Sequence, residues 1–157
     1  MSSRQLRDEL VVLLQDRLPE VDVRAVFLPF MNPEDLDGNP VLAVRVAARE
    51  IAVDMGPDSK EVTISLGLFD MFDQPEEFQF DRDKRLAYEV EQNDRLDEII
   101  EKVIAFWTPN GELSREIIAD HRFTEIEQTQ MIDAPQYVEF AIWTAPVMLT
   151  YFDMKDE

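Results

Sequence analysis

The sequence predicts an α+β fold, a mostly antiparallel sheet of about five strands with two main helices packed on one face. Three observations carry that expectation. Leu6, Leu10, Leu13, Leu14 and Leu18 recur at helical spacing near the start. Val62, Ile64, Leu66 and Leu68 alternate with Thr63, Ser65 and Gly67, the period of two of a half-buried strand. A second helical pattern, from Asp83 to Trp107, separates this strand from a β-rich final third.

The elements follow in order. Ser3 reads as the N-cap of the first helix, which Pro19 stops. Val23 to Leu28 is a short strand ended by Pro29, and Phe30 to Pro40 is an acidic loop holding Pro33 and Gly38. Val41 to Val53 is long enough either to extend beyond the sheet core or to carry a bulge near Glu50. Met55 to Asp58 turns the chain into the Val62–Leu68 strand. Residues 70–82 mix Met71, Phe72, Phe78 and Phe80 with acids, which suits a protruding acidic loop or ribbon.

The second helix should turn Leu86, Val90, Leu96, Ile99, Ile100, Val103, Ile104 and Trp107 inward, with a break near Asn93-Asp94. Pro109-Asn110-Gly111 ends it. Glu116 to Ile132 reads as one strand, Asp133-Ala134-Pro135 as a turn, and Tyr137 to Phe152 as a returning strand. Pro146 places that last strand at an edge or marks a bulge.

At 157 residues the chain suits one domain with a real core. No apolar run approaches the roughly 20 residues of a membrane-spanning helix, and Met1-Ser2-Ser3-Arg4-Gln5 lacks the apolar core of a secretory signal. A soluble chain is expected. The absence of cysteine removes disulfides and thiolate zinc sites and fits a reducing cytoplasm.

Acids outnumber bases 34 to 15, for a net charge of −19. Charge-driven binding to nucleic acid or to an anionic membrane needs clustered cations, and no such cluster exists. Solubility and self-repulsion are the plain consequences of so much negative charge.

Candidates for catalysis are few. His121 is the only histidine, so a two-histidine metal site and a histidine triad with a second ring are both excluded. The four glycines are isolated and form no phosphate-binding loop. Residues Asn32 to Asn39 can be aligned with a calcium loop through Gly38, which places Asp35 and Asp37 at ligand positions. The same alignment puts Pro33 at the first ligand position and Val44 where a bidentate Glu is needed, so a solvated turn is the better account. Glu76-Glu77 and Asp97-Glu98 are paired carboxylates on exposed acidic stretches, where solvation is the ordinary outcome. The expectation is a protein that is not an enzyme and uses no metal or other cofactor.

What remains is surface. Residues 70–101 hold twelve acids against four bases, and apolar side chains rimmed by charge favour a contact surface. The candidate partner-contact residues are Phe30, Met31, Asp35 and Asp37 from the first loop, with Met71, Phe72, Phe78 and Phe80 from the second. Folding back of the second group over the sheet is the competing account.

The order α-β-β-β-α-β-β resembles the tail-terminator, or tail completion, proteins of long-tailed bacteriophages. The resemblance is carried by the opening helix with Leu18-Pro19-Glu20-Val21-Asp22-Val23, the strand pair Val41–Val53 and Val62–Leu68, and the closing Val147-Met148-Leu149-Thr150-Tyr151-Phe152. The long insert before the second helix departs from the commoner pattern. The resemblance implies a homo-oligomeric ring, commonly a hexamer, that caps the tail tube and meets neck or connector proteins. It implies no catalysis and no cofactor, and DNA passing through the ring without charge-driven binding to it. The location implied is the tail or neck of the virion, after synthesis in the host cytoplasm. A second reading, from another class, is an acidic secretion chaperone of the type III kind, a dimer holding an effector segment along apolar patches. Those chaperones tend to finish on a helix, whereas this sequence finishes on a strand pattern.

Overall fold

The computed structural model describes residues 2–36, 38–51, 60–128, 137–138 and 140–154. They form two helices on one face of a six-stranded mixed sheet. The expected α+β class holds, with one more strand than expected and one parallel pair. The sheet order is β1-β2-β3-β6-β5-β4.

Helix α1 spans Ser3–Arg17. Its cap is Ser2, one residue earlier than expected, and the Ser2 hydroxyl accepts from Gln5 N–H at 3.3 Å. Ser3 is buried instead, and its hydroxyl accepts from Arg49 Nε at 2.7 Å. The leucine stripe does what its spacing dictates. Leu6, Leu10, Leu14 and Leu18 are fully buried, and Leu13 packs beside them.

Strand β1, Asp22–Ala25, is tied to the end of α1 by one side chain. The Gln15 amide donates to Val21 O at 2.8 Å and accepts from Val23 N–H at 3.0 Å. β1 then runs parallel to β2, Val41–Ile51, pairing Asp22 with Val41 through Ala25 with Val44. A parallel neighbour needs a crossover rather than a tight turn, and residues 26–36 and 38–40 belong to it. They pass over the face of the sheet opposite the helices, where Leu36, Val26 and Met31 pack on Val41, Ala43, Phe69 and Ile142.

β2 pairs antiparallel with β3, Lys60–Met71, and β3 with β6, Ile142–Asp153. The register shift in β2 lies between Val46 and Ala48, not near Glu50. An extra residue inverts the alternation, so Val44 faces the helices before it and Arg49, paired with Val62, faces them after it. That inversion is what delivers Arg49 to Ser3.

β3 was expected to be half-buried, but it lies between two strands and nearly all of it is covered. Val62, Ile64, Leu66 and Leu68 face the helices, while Ser65, Gly67 and Phe69 lie under the crossover side. It also runs on to Met71, into the segment expected to protrude.

Helix α2, Arg82–Ala105, is continuous through Asn93-Asp94 and capped by Asp81. The expected break does not occur because the mid-helix polar groups find partners across the fold. Asn93 Oδ1 accepts from Trp143 Nε1 at 2.9 Å, and Arg95 Nη2 lies 2.5 Å from Asp70 Oδ2. Leu96, Ile100 and Val103 are buried as expected, whereas Leu86 and Val90 stand 44% and 61% exposed. At 3.6 residues per turn those two point about 80–120° away from Leu96 around the axis. Tyr88 takes their place, meeting Phe72 and Phe78 edge to face. Beyond the helix, Trp107 Nε1 donates to Tyr151 OH at 3.0 Å inside an aromatic group with Phe106 and Phe123.

The run expected as one strand from Glu116 to Ile132 is a hairpin where it is described. β4, Ile117–Ile118, turns through Ala119 and Asp120, at φ 50° and 60°, into β5, His121–Glu127. Two left-handed residues are the signature of a tight hairpin whose twist matches its strands. The turns expected at Met55–Asp58 and Asp133–Pro135 lie outside the described residues. β6 begins at Ile142, and Ala141 N–H bonds back to Tyr137 O at 2.7 Å. β5 pairs with β6 only from Met148 onward, so Pro146 lies where β3 alone is a described neighbour. β6 is not the edge strand that Pro146 was expected to mark, since it lies between β3 and β5, and its register with β3 runs through Pro146 without a shift.

His121 is fully buried, with Nδ1 2.7 Å from Ala119 O and Nε2 without a described partner. Burial pushes its pKa below the ordinary 6.5, against the opposing pull of the Ala119 carbonyl and Asp153. Below the ordinary value the unfolded chain takes up a proton that the folded chain resists. Stability is therefore whole above about pH 6.5 and is lost as pH falls toward the depressed folded value. Urea denaturation of the wild type and His121→Asn between about pH 7.5 and 5.5 checks this. The stability gap between them should move in favour of the variant as pH falls, and a constant gap would refute the assignment.

Candidate functional site

The side chains read from the sequence as partner contacts sort onto two faces of the sheet rather than one surface. Phe72 is buried and meets Tyr88 and Tyr137, so it belongs to the core; this corrects its expected role. Phe78 is half-buried against Tyr88. Tyr137 OH hydrogen-bonds Glu89 and closes the cluster onto α2; burial and this carboxylate raise the tyrosine's pKa. Met31 and Met71 are half-buried around the smaller core on the opposite face. Asp35 is exposed, with Oδ2 accepting from Asn32 N–H at 3.2 Å, which commits one oxygen to the local turn. Asp37 lies outside the described residues. Phe30 is 50% exposed and Phe80 is 90% exposed. Those two keep the expected availability.

The feature that sequence reasoning missed is built by strand register. Ala43, Gly67 and Pro146 lie abreast on β2, β3 and β6, facing away from the helices. Three small or compact residues in a row leave a trough between two taller rows, Arg45–Ser65–Met148 and the Phe69–Thr144 pair. Phe69 leans across its floor, and a Cβ on Gly67 would meet Phe69 Cε2 at 2.9 Å. Val26, Leu28 and Pro29 from the crossover form the side wall. The enclosed volume is about 180 Å³. Sites for drug-sized ligands run from about 300 to 1,000 Å³, so this groove suits one large side chain.

The rim is apolar and open. Phe27 is 87% exposed and Leu28 43%, beside the half-exposed Phe30. Arg45 is the charge in the groove; it is half-buried and has no ion pair or hydrogen bond among the described residues. One signal for it was in the sequence, a single arginine inside the apolar run Val41-Leu42-Ala43-Val44-Arg45-Val46-Ala47-Ala48.

Elsewhere, no group of three or more His, Asp or Glu side chains among the described residues is placed to hold a metal ion. Glu76, Glu77 and Glu98 are exposed and Asp97 half-exposed, so both carboxylate pairs face solvent rather than a pocket. Among the described residues no helix is long and apolar enough to cross a membrane. No family model matches this chain, and a search of the curated proteins finds no match either.

Proposed function

We propose that this chain is a non-catalytic structural protein of phage assembly, a tail-terminator-type component. It joins a ring that caps the tail tube and meets neck or connector proteins in the virion. The observation that carries this reading is the open face of the sheet. A groove sized for one side chain, an exposed Phe27-Leu28-Pro29-Phe30 rim and an Arg45 without a partner among the described residues form a docking surface rather than a reaction site. The order of helices and strands adds the ring and the tail to that surface by resemblance. Six copies at −19 each would line a channel that repels the DNA backbone, so DNA could pass without adhering.

Co-sedimentation with tail tubes of the phage that encodes the chain tests this reading, together with absolute mass by light scattering. The wild type should sediment with the tubes and reach six times the monomer mass. Leu28→Asp, which puts a charge on the rim without touching the core, should reduce tube-bound protein about tenfold or more, as expected for a lost hot spot. Retention equal to the wild type would overturn the role of the open face. A stable dimer that ignores tubes would favour the chaperone reading instead.

A further inference from the structure

We propose that the groove receives Phe80 from a second copy of this chain, with Glu76 or Glu77 of that copy pairing with Arg45. The inference rests on reading the open face as a docking surface and names its occupant.

Three observations point to this pairing. First, Phe80 is the most exposed large apolar side chain of the described residues, at 90%. It sits at the end of the short 3-10 turn Glu76–Phe80. That turn is held rigidly, because Phe78 stacks edge to face on Tyr88 and Asp81 caps α2. A preorganised anchor loses little freedom on docking. Second, the sizes agree. A groove of about 180 Å³ accepts one large side chain, and aromatic residues are the usual anchors of such pockets.

Third, the charges agree. Arg45 has no partner among the described residues, and Glu76 and Glu77, exposed beside Phe80, have none either. Acids outnumber bases 34 to 15, so two copies repel one another. A stable contact between them therefore needs a site where opposite unpaired charges meet. Groove against groove would bring two Arg45 side chains together across a two-fold axis, which disfavours that dimer.

Phe80 enters through the turn before α2, on the helix side, while the groove opens on the opposite side of the sheet. Anchor and receptor are thus different surfaces of one molecule. Such head-to-tail contacts propagate, closing into a ring when the rotation allows.

The full-length chain is tested at about 100 µM and about 0.15 M salt, by size exclusion with light scattering. Phe80→Asp removes the anchor and Arg45→Glu reverses the receptor charge; both positions are exposed or half-exposed, and thermal melts confirm folding. The wild type should exceed dimer mass and each variant should fall to monomer. An equimolar mixture should stop at the dimer, because the intact anchor of Arg45→Glu meets the intact groove of Phe80→Asp and no further contact can form. The double variant R45E/E77R should regain higher mass if Glu77 is the partner, and R45E/E76R if Glu76 is. If Arg45→Glu disrupts assembly and Phe80→Asp does not, the open face is used but Phe80 is not its occupant, and the proposal fails alone. If neither variant changes the mass, or the mixture stays monomeric, the contact is refuted. A wild type that remains monomeric overturns self-association itself.

Discussion

Trp143→Ala lowers the free energy of unfolding by about 3–5 kcal/mol, the cost of removing a large aromatic side chain from a packed core. Trp143 is fully buried on β6, opposite Asp70 of β3, and its indole N–H reaches Asn93 of α2 at 2.9 Å. One side chain thus fills the space between sheet and helix and satisfies a polar group in the middle of that helix. Trp143→Phe separates the two roles. It keeps most of the volume and should cost about 1–3 kcal/mol, the range for a lost hydrogen bond with its partner left behind. Urea denaturation reads both, with the midpoint falling and the slope unchanged. A loss below about 1 kcal/mol for the alanine variant would show that the site collapses around the gap.

Gly111→Ala is the second large effect, and its cause is space. A Cβ at Gly111 would lie 2.3 Å from Ala105 O and 2.5 Å from Phe106 O, both backbone atoms at the end of α2. Backbone cannot swing aside as a side chain end can. The surrounding bonds also fix the turn, since Gly111 N–H donates to Thr108 O at 2.6 Å and Leu113 N–H to Phe106 O at 2.7 Å. The added methyl must push the last turn of α2 outward, at a cost of about 1–3 kcal/mol or more. Trp107 follows directly on that turn and is buried against Tyr151. The variant should therefore show red-shifted tryptophan emission as well as a lower midpoint. Unchanged emission with unchanged stability would mean the turn relaxes without strain.

Patterns confined to one element were legible. The leucine stripe of α1 needed only helical periodicity, and Leu96, Ile100 and Val103 followed from the same rule. Leu86 and Val90 misled because an apolar residue is informative only after the phase of the helix is known, and Tyr88 sets that phase. Ala119-Asp120 hid a turn because Ala119 carries no signal for the left-handed conformation it adopts and the acid at Asp120 is one residue among many in the chain. The parallel pairing of β1 was invisible, since a crossover of loop reads like any other loop. Above all, the groove is a property of register. Ala43, Gly67 and Pro146 are unremarkable one at a time and make a trough only when three strands bring them level. Of the residues picked from sequence, Phe80 kept its exposure on the 3-10 turn before α2, and Phe30 half of its own on the crossover loop. Phe72 did not, because β3 ran further than its alternation suggested.

The seam between β3 and β6 has a consequence for how the chain comes to be folded. It pairs Glu61 with Phe152 and Met71 with Ile142, so its partners are separated by the whole of α2 and the β4–β5 hairpin. Closing so long an intervening segment is entropically costly before any pairing compensates it, which makes this step a candidate for the slow one. On the ribosome, β3 must wait for β6 to be synthesised. During that interval the apolar run from Val62 to Phe69 has one edge unpaired, the condition under which nascent strands find the wrong neighbour. The acidic surplus of the chain then acts before any native contact exists, holding unfinished copies apart until the centre of the sheet can close.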